Sequence, residues 1–174
     1  PVAPFAVVDT AADLEMPLAE RGVAYPAILK TARFGYDGKG QATIASREDL
    51  ARVFAQWKRV PCVLEERLAL ELEISVILAR AADGEVAVFP VAENRHAGGI
   101  LDVTIAPARI PGDLAAQAMD LATRLAVALD YVGVLALEFF QVGEELLFNE
   151  MAPRVHNSGH WTIEGAETSQ FENH

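Results

Sequence analysis

The sequence predicts an α+β fold in two lobes. Three observations carry this: strand-type apolar runs recur along the chain, few stretches have a helical period, and strands predominate after Val60. "FAVVDTAADLEMPLAERG" reads as a short strand followed by a helix that Asp9 or Thr10 caps and Gly22 ends. "PAILKTARFGYDGKGQATIAS" reads as strand, glycine-rich loop and strand, a hairpin with a long tip. Ser46 and Asp49 have capping-box spacing, and "REDLARVFAQW" carries a helical period through Leu50, Val53, Phe54 and Trp57. Residues 1–60 are therefore expected to form a small α+β lobe.

Residues 61–174 are expected to form the larger lobe. Pro61 opens the strand "CVLEER", and "ELEISVILAR", "EVAVFPVAEN" and "ILDVTIAPA" follow, the first two joined at "ADGE". One helix interrupts them, "PGDLAAQAMDLATRLAVAL". Pro111 and Asp113 stand at its start, and Leu114, Ala118, Leu121 and Leu125 form its apolar stripe. The pair "YVGVLALEFFQV" and "EELLFNEM" and an irregular polar tail close the chain.

A chain of 174 residues suffices for one core or two small lobes. The net charge of −11 argues against nucleic acid as a partner, because neutralising backbone phosphates calls for a basic stripe. An anionic ligand must then be held by local donors or a metal. The single cysteine, Cys62, rules out an internal disulfide, reads as a small buried hydrophobe and fits a reducing compartment. No apolar run approaches the ~18 residues that span a membrane, and no secretory leader pattern opens the chain. The expected location is cytoplasmic. A start at Pro1 and an end at "TSQFENH" with no helix stop suggest a segment cut from a longer protein.

In "KTARFGYDGKGQ", the close glycines Gly35, Gly38 and Gly40 let backbone N–H groups approach an anion. The pattern is neither the P-loop nor the dinucleotide fingerprint, because a strand follows it. By composition, a phosphate-binding tip and a mobile surface loop stand level. Lys30, closing an apolar strand, and Lys39, inside the loop, favour a lid over a polyphosphate.

In "VGVLALEFFQVGEELLFNE", a three-residue loop at Gly143, Glu144 and Glu145 would pair Val142 with Leu146, Phe140 with Phe148 and Glu138 with Glu150. Like charges directly opposite on one sheet face repel, and apolar neighbours add a desolvation cost. Either the pair shares a proton or a divalent cation lies between the carboxylates, with Mg²⁺ the usual choice beside phosphates. A loop of two or four residues would instead put the glutamates on opposite faces. The glycine loop elsewhere in the chain favours the metal, and Asn149 is a further oxygen donor or phosphate contact, starting from the other face.

Together these features resemble the ATP-grasp fold. Within it, "ILKTARFGYDGKGQ", "LEISVILAR", "FPVAENRHAGGIL" and "NEMAPRVHNSGHWT" are similar to segments of the N5-carboxyaminoimidazole ribonucleotide synthetase family, in the same order and over nearly the whole chain. The resemblance implies an ATP-dependent carbon–nitrogen ligase of purine biosynthesis that uses ATP, Mg²⁺, bicarbonate and 5-aminoimidazole ribonucleotide. It implies a homodimer for the full-length protein, with N-terminal and C-terminal domains outside this segment, which alone is not expected to be active.

By the same resemblance, Lys30 and the loop Gly35, Tyr36, Asp37, Gly38, Lys39, Gly40 and Gln41 would hold the ATP phosphates, with Tyr36 and Asp37 near the acceptor. Glu65, Glu66 and Leu68 would line the adenine site and Glu73 would bind the ribose hydroxyls. His96, Phe148 and Asn149 would lie near the nucleotide, and Glu138 and Glu150 would hold magnesium. Arg154, His156 and Asn157 are the candidates for bicarbonate and carboxyphosphate. Ala152 stands where many ATP-grasp proteins carry an asparagine, leaving one fewer oxygen at the metal. A nucleotide-binding module without turnover, and an ATP-grasp ligase with another acceptor, are the alternatives.

Overall fold

The computed structural model describes residues 1–15, 18–35 and 39–174, Ala19 by its backbone alone. The chain divides into two compact units: Ala3–Ala69 with Gly98–Ile100, and Pro1–Val2 with Leu70–Ala97 and Leu101–His174.

The N-terminal unit is a four-stranded antiparallel sheet of β1 (Phe5–Val8), β2 (Ala27–Thr31), β3 (Gln41–Ile44) and β4 (Cys62–Glu66), in the order β1-β4-β2-β3. The boundary therefore falls after Ala69 rather than after residue 60. The cause is β4, which alternates Cys62 and Leu64 into the core that buries Ala27, Leu29 and Ile44, and so completes the first sheet. The same core receives Leu50, Val53 and Phe54 from α1 (Arg47–Gln56), and Ser46 caps that helix by accepting from the Asp49 N–H at 3.3 Å.

The helix expected after β1 is instead two short 3₁₀ turns, Ala11–Leu14 and Leu18–Arg21. Thr10 is the N-cap of the first, its N–H donating to Asp13 at 2.7 Å. Pro17 stands in the sequence between the turns, and a proline there lacks the N–H that a continuous helix requires.

The C-terminal unit is a six-stranded sheet of β5 (Leu72–Arg80), β6 (Val86–Val88), β7 (Ala92–Ala97), β8 (Ile100–Ile105), β9 (Gly133–Val142) and β10 (Glu145–Ala152). Its order is β10-β9-β5-β7-β8, with β6 also paired to β5. The single run expected at "EVAVFPVAEN" is split into β6 and β7. Pro90 lies at the break, where it has no N–H to give to a ladder.

The helix α2 (Gly112–Ala128) covers one face of this sheet. Its buried stripe is Leu114, Ala118, Ala122 and Ala126, whereas Leu121 and Leu125 are only partly buried at its flank. Three alanines in the stripe let the helix approach the sheet closely, so the larger leucines belong at its margin. A second, smaller cluster on the opposite face holds Ile77, Val134, Ala136 and Ala152. Cys62 is buried and free, as expected. Among the described residues no helix is long and apolar enough to cross a membrane.

Candidate functional site

The smaller cluster marks the face of the C-terminal sheet that α2 does not cover, and the acids collect there. Glu138 on β9 has Ser75 of β5 as one register partner and Glu150 of β10 as the other. The glutamate pair forms as expected, by a different route. The turn between β9 and β10 has two residues, with Val142 opposite Glu145 and Phe139 opposite Phe148. Gly143 takes φ 60° at its first central position, as a type II′ turn requires. In a regular ladder this register would send Glu150 to the α2 side with Phe148. A β-bulge at Asn149 inserts one extra residue, reverses the alternation and brings Glu150 opposite Glu138.

The Asn149 side chain lies beside Glu138 and slightly offsets the rise of its carboxyl. Phe148 packs edge-to-face on Phe139, 6.1 Å between ring centres, within the α2-side core. Ala152 is buried in the smaller apolar cluster and supplies no oxygen.

Burial, and then the charge of Glu150, push the Glu138 carboxyl up to about 7. His156 lies across from it, Nε2 3.7 Å from Glu138 Oε1. The His156 Nδ1 is 2.9 Å from Ser158 Oγ and accepts from the Ser158 N–H at 3.4 Å, so the ring caps the 3₁₀ turn Asn157–Gly159. An acceptor at Nδ1 puts the proton on Nε2, facing the carboxylate. Burial, and then the Arg154 charge, lower His156 to about 4, so its neutral form prevails near pH 7. Glu73 and His96 form a second pair at 3.0 Å, and this hydrogen bond raises the His96 pKa. Arg154 and Asn157 are exposed, Arg154 donating to the Val155 carbonyl at 2.8 Å and Asn157 accepting from the Ser158 N–H at 3.0 Å.

These residues suit magnesium. Two carboxylates face each other on a half-buried surface, and the fully buried Ser75 hydroxyl beside Glu138 has no hydrogen-bond partner. Among the described residues no cluster of three or more His, Cys, Asp or Glu side chains is placed to hold a metal.

In the N-terminal unit, Lys30 closes β2 and pairs with Glu65 of β4 at 2.5 Å, which offsets the cost of a lysine at the end of an apolar strand. Glu66 accepts from the Ala24 N–H at 3.2 Å, and Leu68 is half-buried in the segment after β4. The hairpin loop closes where the Thr31 N–H donates to the Gly40 carbonyl at 2.8 Å, next to Gln41 at the start of β3. Gly40 has φ 76°, and a Cβ there would stand 2.6 Å from Thr31 Oγ1. Gly40→Ala is therefore expected to destabilise this unit by about 1–2 kcal/mol, read as an earlier urea midpoint. Gly35 approaches the Lys39 carbonyl, so at least these two glycines serve the loop's own closure. Tyr36, Asp37 and Gly38 lie outside the described residues.

The profile of the ATP-grasp domain matches residues 1–171. The chain belongs to the ATP-grasp family. It is 49% identical over 174 residues to the N5-carboxyaminoimidazole ribonucleotide synthase of Pseudomonas aeruginosa, covering 100% of this chain and 47% of that protein. The crystal structure of the N5-carboxyaminoimidazole ribonucleotide synthetase of Thermus thermophilus matches with TM-score 0.89 and 51% identity, covering 100% of this chain and 46% of that one. The carboxyaminoimidazole synthase of Aspergillus clavatus, in complex with ADP and 5-aminoimidazole ribonucleotide, matches with TM-score 0.85 and 30% identity over 100% of this chain and 45% of that one. The chain thus spans about half the length of the relatives it matches.

Within this ATP-grasp chain, the C-terminal unit brings together Glu138, Glu150, Asn149 and His156, with Glu73 and His96 on the same sheet. Two participants had no sequence signal. Ser75 reads as one small residue in an apolar strand. Gln170 sits in a tail without periodicity, yet it is fully buried and bonded to His156.

Proposed function

We propose that the chain is the ATP- and metal-binding segment of a longer ligase that carboxylates 5-aminoimidazole ribonucleotide with bicarbonate at the expense of ATP, and that the full-length protein is a homodimer. The observation that carries this reading is the Glu138–Glu150 pair beside the His156–Asn157 turn, in a chain about half identical to synthetases of that name.

Glu138 and Glu150 hold magnesium in this reading, and Asn149 fixes the orientation of Glu138. The bound ion would neutralise charge on the transferring phosphoryl group. Lys30, with Gly35, Tyr36, Asp37, Gly38, Lys39, Gly40 and Gln41, binds the phosphates. Glu65, Glu66 and Leu68 receive the adenine, Glu73 takes the ribose hydroxyls, and His96 keeps the Glu73 carboxylate in place. Phe148, expected beside the nucleotide, packs on Phe139 in the α2-side core and so supports β10 from the face opposite the glutamates.

Arg154 and Asn157 bind bicarbonate, one oxygen of which displaces ADP from the γ-phosphorus to form carboxyphosphate. The carboxyl carbon then bonds to the exocyclic amine of the acceptor, phosphate leaves, and the amine loses a proton. Neutral His156 keeps its Nε2 edge toward Glu138 at 3.7 Å, so it orients rather than titrates.

The test is ADP release by the full-length protein with bicarbonate, with and without 5-aminoimidazole ribonucleotide. Wild type is expected to require bicarbonate and to be stimulated by the acceptor, and Glu150→Ala is expected to lose about 100-fold or more, since metal neutralisation of transition-state charge is worth several kcal/mol. Undiminished release in the variant would refute the metal assignment. Release indifferent to bicarbonate would refute the reaction.

A further inference from the structure

We propose that Gln170 is the positioning residue of the His156–Gly159 turn, holding the bicarbonate-binding groups in register with the metal pair. The inference rests on the assignment of Arg154, His156 and Asn157 made above. Gln170 is fully buried, and both ends of its carboxamide engage a single residue. Its Oε1 accepts from the His156 N–H at 2.9 Å, and its Nε2 donates to the His156 carbonyl at 2.7 Å. A side chain thereby supplies the two bonds that a neighbouring strand would supply.

The far end of the turn is tied to the same residue. The Gln170 N–H donates to Thr162 Oγ1 at 2.9 Å, and that hydroxyl donates to the Gly159 carbonyl at 2.7 Å. Gly159 has no room for a side chain, because a Cβ would stand 2.7 Å from the carboxamide carbon of Gln170 and 3.0 Å from its Nε2. Glycine is needed here for close approach to Gln170, since Gly159 is not among the positive-φ glycines.

Gln170 therefore grips the turn from its buried side, while Asn157 is left exposed and the His156 ring points at Glu138. Apolar atoms in this space would leave the buried His156 N–H and carbonyl unpaired, so the carboxamide is what fixes the backbone of the turn here. The Gln170 Oε1, Nε2 and backbone N–H all bond the turn or the threonine that holds it.

The test uses the full-length protein and two variants. Gln170→Glu keeps the volume but removes the donor to the His156 carbonyl. It is expected to lower kcat for bicarbonate-dependent ADP release about 100-fold and to raise KM for bicarbonate, with the Kd for ATP unchanged, because a displacement near 1 Å has that effect on an oriented site. The double variant Gly159→Ala with Gln170→Ala relieves the clash that Gly159→Ala creates alone. It is expected to recover part of the Tm lost in Gly159→Ala, the remainder staying lost with the two bonds to the His156 backbone, without recovering turnover. Turnover that returns together with Tm, or wild-type turnover in Gln170→Glu, would overturn the inference. Wild-type protein that releases no ADP in response to bicarbonate would overturn the functional reading, and this inference with it.

Discussion

Deletion of Asn149 is expected to weaken magnesium-dependent ATP binding without abolishing it, while both ends of the β9–β10 hairpin stay paired. Register from Glu145 to Phe148 is set by the two-residue turn at Gly143 and Glu144, upstream of the deletion. Without the extra residue Glu150 follows Phe148 directly in a regular ladder, so it stays opposite Glu138 on the face away from α2, and Met151 and Ala152 keep their partners. Asn149→Ala keeps the bulge and loses only the side chain beside Glu138, so its magnesium-dependent binding is expected to match that of the deletion. Calorimetric titration of ATP with and without magnesium reads both. Loss of all magnesium-dependent binding in the deletion variant would show that the opposed glutamates alone do not make the site.

In the metal-free chain, Glu138→Gln is expected to be more stable than wild type at pH 8 and no more stable near pH 4.5. The folded-state carboxyl titrates at about 7, against 4.5 when unperturbed, because burial and then Glu150 disfavour its charge. Between those values the folded chain holds a proton that the unfolded chain has lost, so stability falls as pH rises from 4.5 to 7 and levels off above. With the Glu138 side chain only 15% exposed, the full penalty above pH 7 is on the order of 3 kcal/mol. Magnesium should recover part of it in wild type and little in the variant. Urea unfolding at the two pH values checks the sign: a Glu138→Gln chain less stable than wild type at pH 8 would contradict it.

The opposition of Glu138 and Glu150 shows how a correct contact can follow from an incorrect local structure. A three-residue turn and a regular ladder give the same pairing as a two-residue turn followed by a bulge, because each places one additional residue on the β10 side. Residue types in the sequence do not distinguish them. The energetic difference lies in which face of β10 meets α2, and that is a contact made across more than twenty residues of chain.

Similar reasoning applies to the helix stripe. Leu121 and Leu125 carry the strongest apolar signal in α2, yet Ala122 and Ala126 form its buried line. Hydrophobic period locates the helix, while the closeness of the sheet decides which of two adjacent stripes faces it. The unit boundary was displaced for a comparable reason. Pro61 is a genuine break in the chain, but β4 beyond it returns to the centre of the first sheet, and backbone pairing of that kind leaves no mark in composition.

By itself the sequence determined the α+β class, the β2–β3 hairpin with its glycine-rich loop, the capped helix after Ser46 and the family, because these rest on local propensity, turn chemistry and short motifs. Tertiary structure alone decided that Lys30 pairs with Glu65, that a bulge turns Glu150 toward Glu138, and that Gln170 grips the His156 turn. Each of these depends on groups 12 to 35 residues apart meeting in a buried or half-buried place, where an unpaired charge or amide costs more than any local preference supplies.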